Sequence, residues 1–149
     1  MKAVVQRVKK AKVTIEGKIA SEIGEGLLVL LAVSHSDDQS IIRWMSNKIV
    51  NLRIFPDRED KMNKSVLDIR GSIMIISNFT VYGDVHKGFR PNFMKSAQAN
   101  IAEPLYSQMV NYMKEMYPIN ITEGQFGAMM EIELINDGPV TVIIEKEKE

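Results

Sequence analysis

The sequence predicts an α+β fold: a mainly antiparallel, curved or barrel-like β-sheet with two helices packed against it. Three observations point there. Short β-branched runs punctuated by glycine open the chain. Two longer stretches carry apolar residues at helical spacing behind a capping signal. Two further short apolar runs close the chain on either side of Asn136-Asp137-Gly138-Pro139.

Taken in order, Val4, Val5 and Val8 form a β-branched opening run, Val13 and Ile15 alternate with polar residues, and Gly17 turns the chain. Residues 19–23 and 27–33 follow, parted by Gly24-Glu25-Gly26, and the whole reads as a meander of short antiparallel strands. The Leu27 to Val33 run is apolar on both faces, which predicts a central, buried strand. Ser36 to Leu52 reads as a helix, with Ser36 as cap and Gln39 completing a capping box. Its core face is Ile41, Met45, Ile49 and Leu52, with Ile42 beside them and Trp44 on the flank. Gly71 opens a strand, Ser72 to Tyr82, which Gly83-Asp84 ends. A second helix spans Asn100 to Tyr117: Asn100 caps it, Pro104 falls in the first turn where a missing N–H is harmless, and Pro118 stops it. Its stripe is Leu105, Met109, Tyr112, Met113 and Met116. The last strands are Met129 to Ile135 and Val140 to Glu145, joined as a hairpin, with Glu145 to Glu149 as a frayed charged tail. Most of the ten methionines read as core filler.

At 149 residues and 45% hydrophobic composition, residues 1–149 suit one domain with a proper core. The absence of cysteine excludes disulfides, thiol nucleophiles and Cys-based zinc sites. Residues 1–12 are charged and alternating, unlike a secretory signal, and the longest apolar run is too short to span a bilayer. A soluble cytoplasmic protein without a membrane partner is expected. Nineteen basic and nineteen acidic side chains balance, so neither a general nucleic-acid coat nor a DNA partner is expected. Any RNA contact must be local, at Arg7, Lys9, Lys10 and Lys12 or at Lys87, Arg90 and Lys95.

Strong catalytic groups are few. His35 and His86 are the two histidines, and with no carboxylate at ligand spacing they predict no metal site; no cofactor motif of the P-loop, GxGxxG or GxSxG kind is present. The Asp57 to Asp60 group reads as a charged loop tip. Three stretches stand out. Ser77-Asn78-Phe79-Thr80 emerges from a buried apolar strand and can line a cleft. His86 to Phe93 interleaves cations with aromatic rings, a pattern that suits a phosphate and a stacked base. Asn136 to Thr141 places a Gly-Pro pair where only main chain is presented. By residue type alone, three readings stay open: a hydrolase stabilising charge with backbone groups, an acyl hydrolase with Thr80 as nucleophile and His86 as base, and a non-catalytic RNA-binding module using residues 87–93.

Together these stretches resemble the D-aminoacyl-tRNA deacylase family, nearly end to end. The resemblance is carried by Val4-Val5-Gln6-Arg7-Val8, Gly26 to Leu30, Asn51 to Phe55, Lys61-Met62-Asn63, Ser65, Lys87-Gly88, Arg90-Pro91, Phe93, Phe126-Gly127-Ala128 and Asn136 to Thr141. The family's Ser-Gln-Phe-Thr motif stands here as Ser77-Asn78-Phe79-Thr80, with the amide on a chain one methylene shorter; the closing Asn-x-Gly-Pro-Val-Thr motif is intact. The resemblance implies hydrolysis of the ester of D-aminoacyl-tRNA, and tolerance of glycine, including glycyl-tRNA mischarged on alanine tRNA. It implies catalytic roles for Ser77, Asn78, Phe79 and Thr80, substrate contacts from Arg7, Phe126, Met129, Gly138 and Pro139, and tRNA contacts from Lys87 and Arg90. It also implies a homodimer in which a cis Gly138-Pro139 pair reaches into the partner's site and rejects L side chains.

Overall fold

A computed structural model of the protein describes residues 1–148. Strand β1 (Lys2–Ile15) organises the sheet. Along one edge its first half pairs antiparallel with β3 (Gly26–Ala32) and its second half with β2 (Lys18–Ile23); its other edge carries the long last strand β8 (Glu131–Glu145). Beyond β3 the sheet turns parallel: β6 (Ser72–Ser77) lies beside β3, and β7 (Asn120–Glu123) beside β6. The Ser21 hydroxyl of β2 donates to the Glu123 carbonyl of β7 (2.9 Å), so the sheet comes close to closing into a barrel. Gly26 sits where β3 approaches β6: a Cβ there would lie 1.8 Å from the Ser72 carbonyl oxygen, so no other residue fits.

The doubly apolar run is indeed the central strand. Leu27, Val29 and Leu31, with Ile73 and Ile75, bury against the helices α1 (Gln39–Asn51) and α2 (Ala99–Met116). Leu28, Met74 and Ile76 face the other way and meet Val8, Ala11, Val13 and Ile23 inside the curved sheet. A small hairpin, β4 (Phe55–Pro56) and β5 (Met62–Lys64), carries the predicted charged tip, where the Asp57 carboxylate accepts from the Glu59 and Lys61 N–H groups and the Asn63 amide. Neither this hairpin nor β7 is visible in the periodicity.

Several boundaries differ from expectation for local reasons. Asp38, not Ser36, caps α1: its Oδ1 accepts from Ser40 N–H (2.9 Å) and Ile41 N–H (3.3 Å). Helix α2 starts at Ala99, so Asn100 lies inside it and Gln98 caps without a side-chain bond. Pro104 therefore falls in the second turn, on the exposed face where water can take the carbonyl it leaves free. The buried stripe of α2 is shifted to Ala102, Tyr106, Met109, Val110 and Met113, leaving Met116 exposed. The two predicted closing strands are one strand, β8, paired with β1 above and below Gly138-Pro139, so there is no hairpin there. The tail expected to fray is tied down as far as Lys148, which pairs with Asp38 at 2.8 Å; Glu149 lies outside the described residues. No helix among the described residues is long and apolar enough to cross a membrane.

Candidate active site

Strand β6 delivers the first motif. Its residues 73–76 are buried, Ser77 still pairs with Leu31, and the Asn78 N–H donates to the Leu31 carbonyl at 2.8 Å. There the strand ends, five residues short of the predicted Tyr82. The Asn78 side chain diverts it: Oδ1 accepts from the Thr80 N–H (3.2 Å) and from the Thr80 hydroxyl (2.5 Å). Asparagine in extended conformation with this bonding is a cap, and the chain turns into a 3-10 helix, Phe79–Tyr82. The first N–H of such a turn has no partner within it. That group is the Phe79 N–H, and it donates to no protein acceptor among the described residues.

Ser77 to Thr80 line a cavity of about 610 Å³. Ser96, Ala97, Ala99 and Ala102 and the segment from Phe126 to Met130 complete much of its wall. The lining is mainly apolar with a few polar groups at one side, and it contains no histidine, acid or cation. Phe126 is held by Tyr106 (ring centroids 5.9 Å apart), whose hydroxyl donates to the Ile75 carbonyl at 2.8 Å. Burial pushes the Tyr106 hydroxyl far above its ordinary range, so it serves as a neutral strut. Met129 also lines the cavity but is 91% exposed. Thus the structure gathers Ser77, Asn78, Phe79, Thr80, Phe126 and Met129 around one space. The small residues at 96–102 are not foreseen: a cavity is outlined by side chains that are absent, and only the clustering of serine and alanine around the start of α2 hints at it.

Gly138, Pro139 and Arg7 are not in that lining. In the β1–β8 ladder Gln6 pairs with Thr141 and Val8 with Asn136, so residues 137–140 all stand opposite Arg7 alone. The result is a bulge, with Gly138 and Pro139 exposed, a cis peptide bond between them, and Gly138 at φ +124°. Arg7 braces it from below. Its Nε donates to the Asp137 carbonyl (3.1 Å) and lies 3.3 Å from the Asp137 carboxylate, while its guanidinium also donates to the Ile54 carbonyl (2.6 Å). Arg7 is 9% exposed, so it supports the bulge rather than reaching solvent.

The basic stretch forms a third unit. Asp84 and Asn92 exchange two backbone hydrogen bonds of 2.8 Å and close the loop between them. Inside it, the His86 N–H (2.9 Å) and ring Nδ1 (2.5 Å) both meet the Asp84 carboxylate, and the His86 N–H leads in holding that carboxyl below its ordinary range. His86 and Thr80 are therefore each engaged elsewhere and share no hydrogen bond. Lys87 and Arg90 are exposed and outside the cavity, with no ion pair among the described residues. Phe93 ties the loop base back to the motif by an edge-on contact with Phe79 (centroids 5.1 Å).

Known proteins resemble this chain in sequence and in fold. A "D-aminoacyl-tRNA deacylase" of Petrotoga mobilis is 51% identical over 148 residues, 99% of each chain, and one of Thermosipho africanus is 49% identical over the same share. A solved structure titled "c-Myc DNA Unwinding Element Binding Protein" superposes with a TM-score of 0.94 at 41% identity, covering 99% of this chain and all of the other. A probable eukaryotic D-amino acid tRNA deacylase shares the fold with a TM-score of 0.79 at 17% identity, covering 96% of this chain and 97% of its own. The family profile described as D-Tyr-tRNA(Tyr) deacylase matches residues 4–145. From its first strand to its last, then, the chain belongs to the D-Tyr-tRNA(Tyr) deacylase family.

Proposed function

We propose that the protein hydrolyses the ester of D-aminoacyl-tRNA, releasing the D-amino acid and the tRNA, and that it spares L-aminoacyl esters. The observation that carries this is the chemistry of the cavity wall: a free backbone donor at Phe79, a Thr80 hydroxyl already committed to Asn78, and no acid or base in the lining. An aminoacyl ester is an activated substrate, so a site that only stabilises charge can suffice. The Phe79 N–H faces the developing oxyanion, a contribution worth about 100- to 1000-fold for such a donor. Ser77 and Asn78 hold that donor in place, Asn78 through its bonds to the Thr80 N–H and hydroxyl. The free ribose hydroxyl of the terminal adenosine assists the attacking water.

Selection comes from Gly138-Pro139 of a second copy. In its own protomer the bulge lines no part of the cavity and is exposed, which favours a homodimer in which it enters the neighbour's site. Main chain placed against the substrate Cα excludes an L side chain and admits a D one, while glycine, including glycyl-tRNA mischarged on alanine tRNA, passes. Phe126 and Met129 bound the acyl group; Lys87 and Arg90 meet tRNA phosphates. The compartment is the cytoplasm, where aminoacyl-tRNA is used. Incubation with D-Tyr-tRNA and L-Tyr-tRNA tests the reading: loss of the D ester alone is expected, whereas loss of both, or of neither, overturns it.

A further inference from the structure

Phe89 is the most exposed large apolar residue of the protein, at 106% of its reference area, and it touches no aromatic or cationic neighbour. It does not lie on a disordered tail. The Asp84–Asn92 backbone pair closes its loop, the Asp84 carboxylate secures the turn through His86, and Gly88 supplies a left-handed residue (φ +71°) just before it. Lys87 and Arg90 stand two residues before and one after Phe89 in sequence, both exposed and without ion pairs among the described residues. Through Phe93 against Phe79 the loop is anchored at the wall of the cavity. A bare ring on a loop closed by hydrogen bonds, with an unpaired cation close on each side in sequence, matches the needs of an unpaired nucleotide: a π-face for the base and positive charge for its phosphates.

We propose that Phe89 is a stacking platform for an unpaired base of the acceptor strand upstream of the terminal adenosine, with Lys87 and Arg90 on the adjoining phosphates. This rests on the deacylase reading and adds to it where the RNA beyond the ester is held. Phe89 takes no part in the chemistry, so its effect falls on substrate capture.

The test compares two substrates, D-Tyr-tRNA and D-tyrosyl-adenosine, the second carrying the ester but no upstream nucleotide. Phe89→Ala is expected to raise KM for D-Tyr-tRNA roughly 5- to 150-fold, the range set by base–aromatic stacking. Its kcat, its Tm and its rate on D-tyrosyl-adenosine should match the parent. Phe89→Trp should restore KM and Phe89→Leu should not, which separates stacking from simple burial. An unchanged KM in Phe89→Ala, or an equal loss on both substrates, overturns the platform while leaving the deacylase reading intact. Failure of the parent to release D-tyrosine from either substrate would sink that reading instead. If sedimentation shows that Phe89→Ala changes the oligomeric state, the ring belongs to a contact between copies and the platform is wrong.

Discussion

The Ser77–Thr80 turn and the Gly138–Pro139 bulge carry the two most informative motifs of the chain, and the fold supports them in opposite ways. The turn leaves a central strand buried on both faces, is tied to β3 through Asn78, and opens on a cavity of its own protomer. The bulge lies on the outer strand β8, has β1 as its ladder partner, and exposes its two defining residues. Neither offers side-chain chemistry; each offers shaped main chain. The contrast indicates a division of labour. A group that must stabilise charge is fixed from within the sheet, while a group that only has to obstruct can be carried outside it, provided something rigid stands behind it.

The largest effect is expected from Gly138→Ala. A Cβ at that position would meet Val140 Cγ2 at 2.9 Å and the Val140 nitrogen at 3.1 Å, and φ +124° disfavours any side chain. The bulge must shift, and a displacement of an ångström at a selecting surface can cost about 100-fold. The D over L ratio in single-turnover hydrolysis of Tyr-tRNA should fall by about that factor, with circular dichroism unchanged; an unaltered D over L ratio would detach the bulge from the site. Arg7→Ala removes the brace and strands the Ile54 and Asp137 carbonyls. It should cost about 1.5–3 kcal/mol of stability, seen as a Tm lower by about 5–10 °C. Arg7→Lys should recover only part of this, because an ammonium cannot reproduce the guanidinium fork. A parental Tm in Arg7→Ala would mean that the bulge holds itself.

On the turn, smaller effects are expected from side-chain changes because the working groups are backbone. Thr80→Val deletes the hydroxyl that Asn78 accepts but leaves the N–H, so kcat should fall by less than about 10-fold, against the 100-fold or more typical of a lost oxyanion donor. Asn78→Ala releases both of those bonds and should cost more than Thr80→Val. Complete inactivity of Thr80→Val, with an acyl group trapped on Thr80 of the parent, would establish a covalent route.

How far the sequence announced this architecture depended on whether the deciding information was local. Leu27 to Leu31 could be placed at the centre because both faces of the run are apolar, and the helices could be found because Ile41, Met45 and Ile49 repeat at helical spacing. Strand β7 buries little beyond Ile121, so it has no pattern to read. Asn136-Asp137-Gly138-Pro139 has good turn chemistry, which predicts a hairpin; what decides otherwise is that β1 pairs with both flanks, a fact held more than a hundred residues away. Ser77-Asn78-Phe79-Thr80 lines a cavity, but the shape of the turn is not legible in the sequence, since an asparagine at a strand end and one capping a 3-10 turn differ only in a side-chain bond. The family motifs located residues; they did not say that Arg7 acts by supporting the bulge.

The two asparagine- and aspartate-capped starts give the finest contrast. Asp38 caps α1 much as Asn78 caps the 3-10 turn, but it carries a charge. The Lys148 ammonium, then the Ser40 hydroxyl and the Ile41 N–H, hold its carboxyl well below the ordinary carboxylate range. A depressed folded-state pKa stabilises the fold above the unfolded value of about 3.9, and that contribution is lost as pH falls from there through the folded-state value. Asp38→Asn keeps a capping oxygen and removes the charge. The parent should therefore melt slightly higher than Asp38→Asn at neutral pH, and the gap should close progressively below about pH 4. A gap that stays constant with pH would assign the effect to cap geometry and not to charge. The Asn78 cap has no such dependence built in, which suits a turn whose task is to hold a backbone donor still at any pH at which the ester is cut.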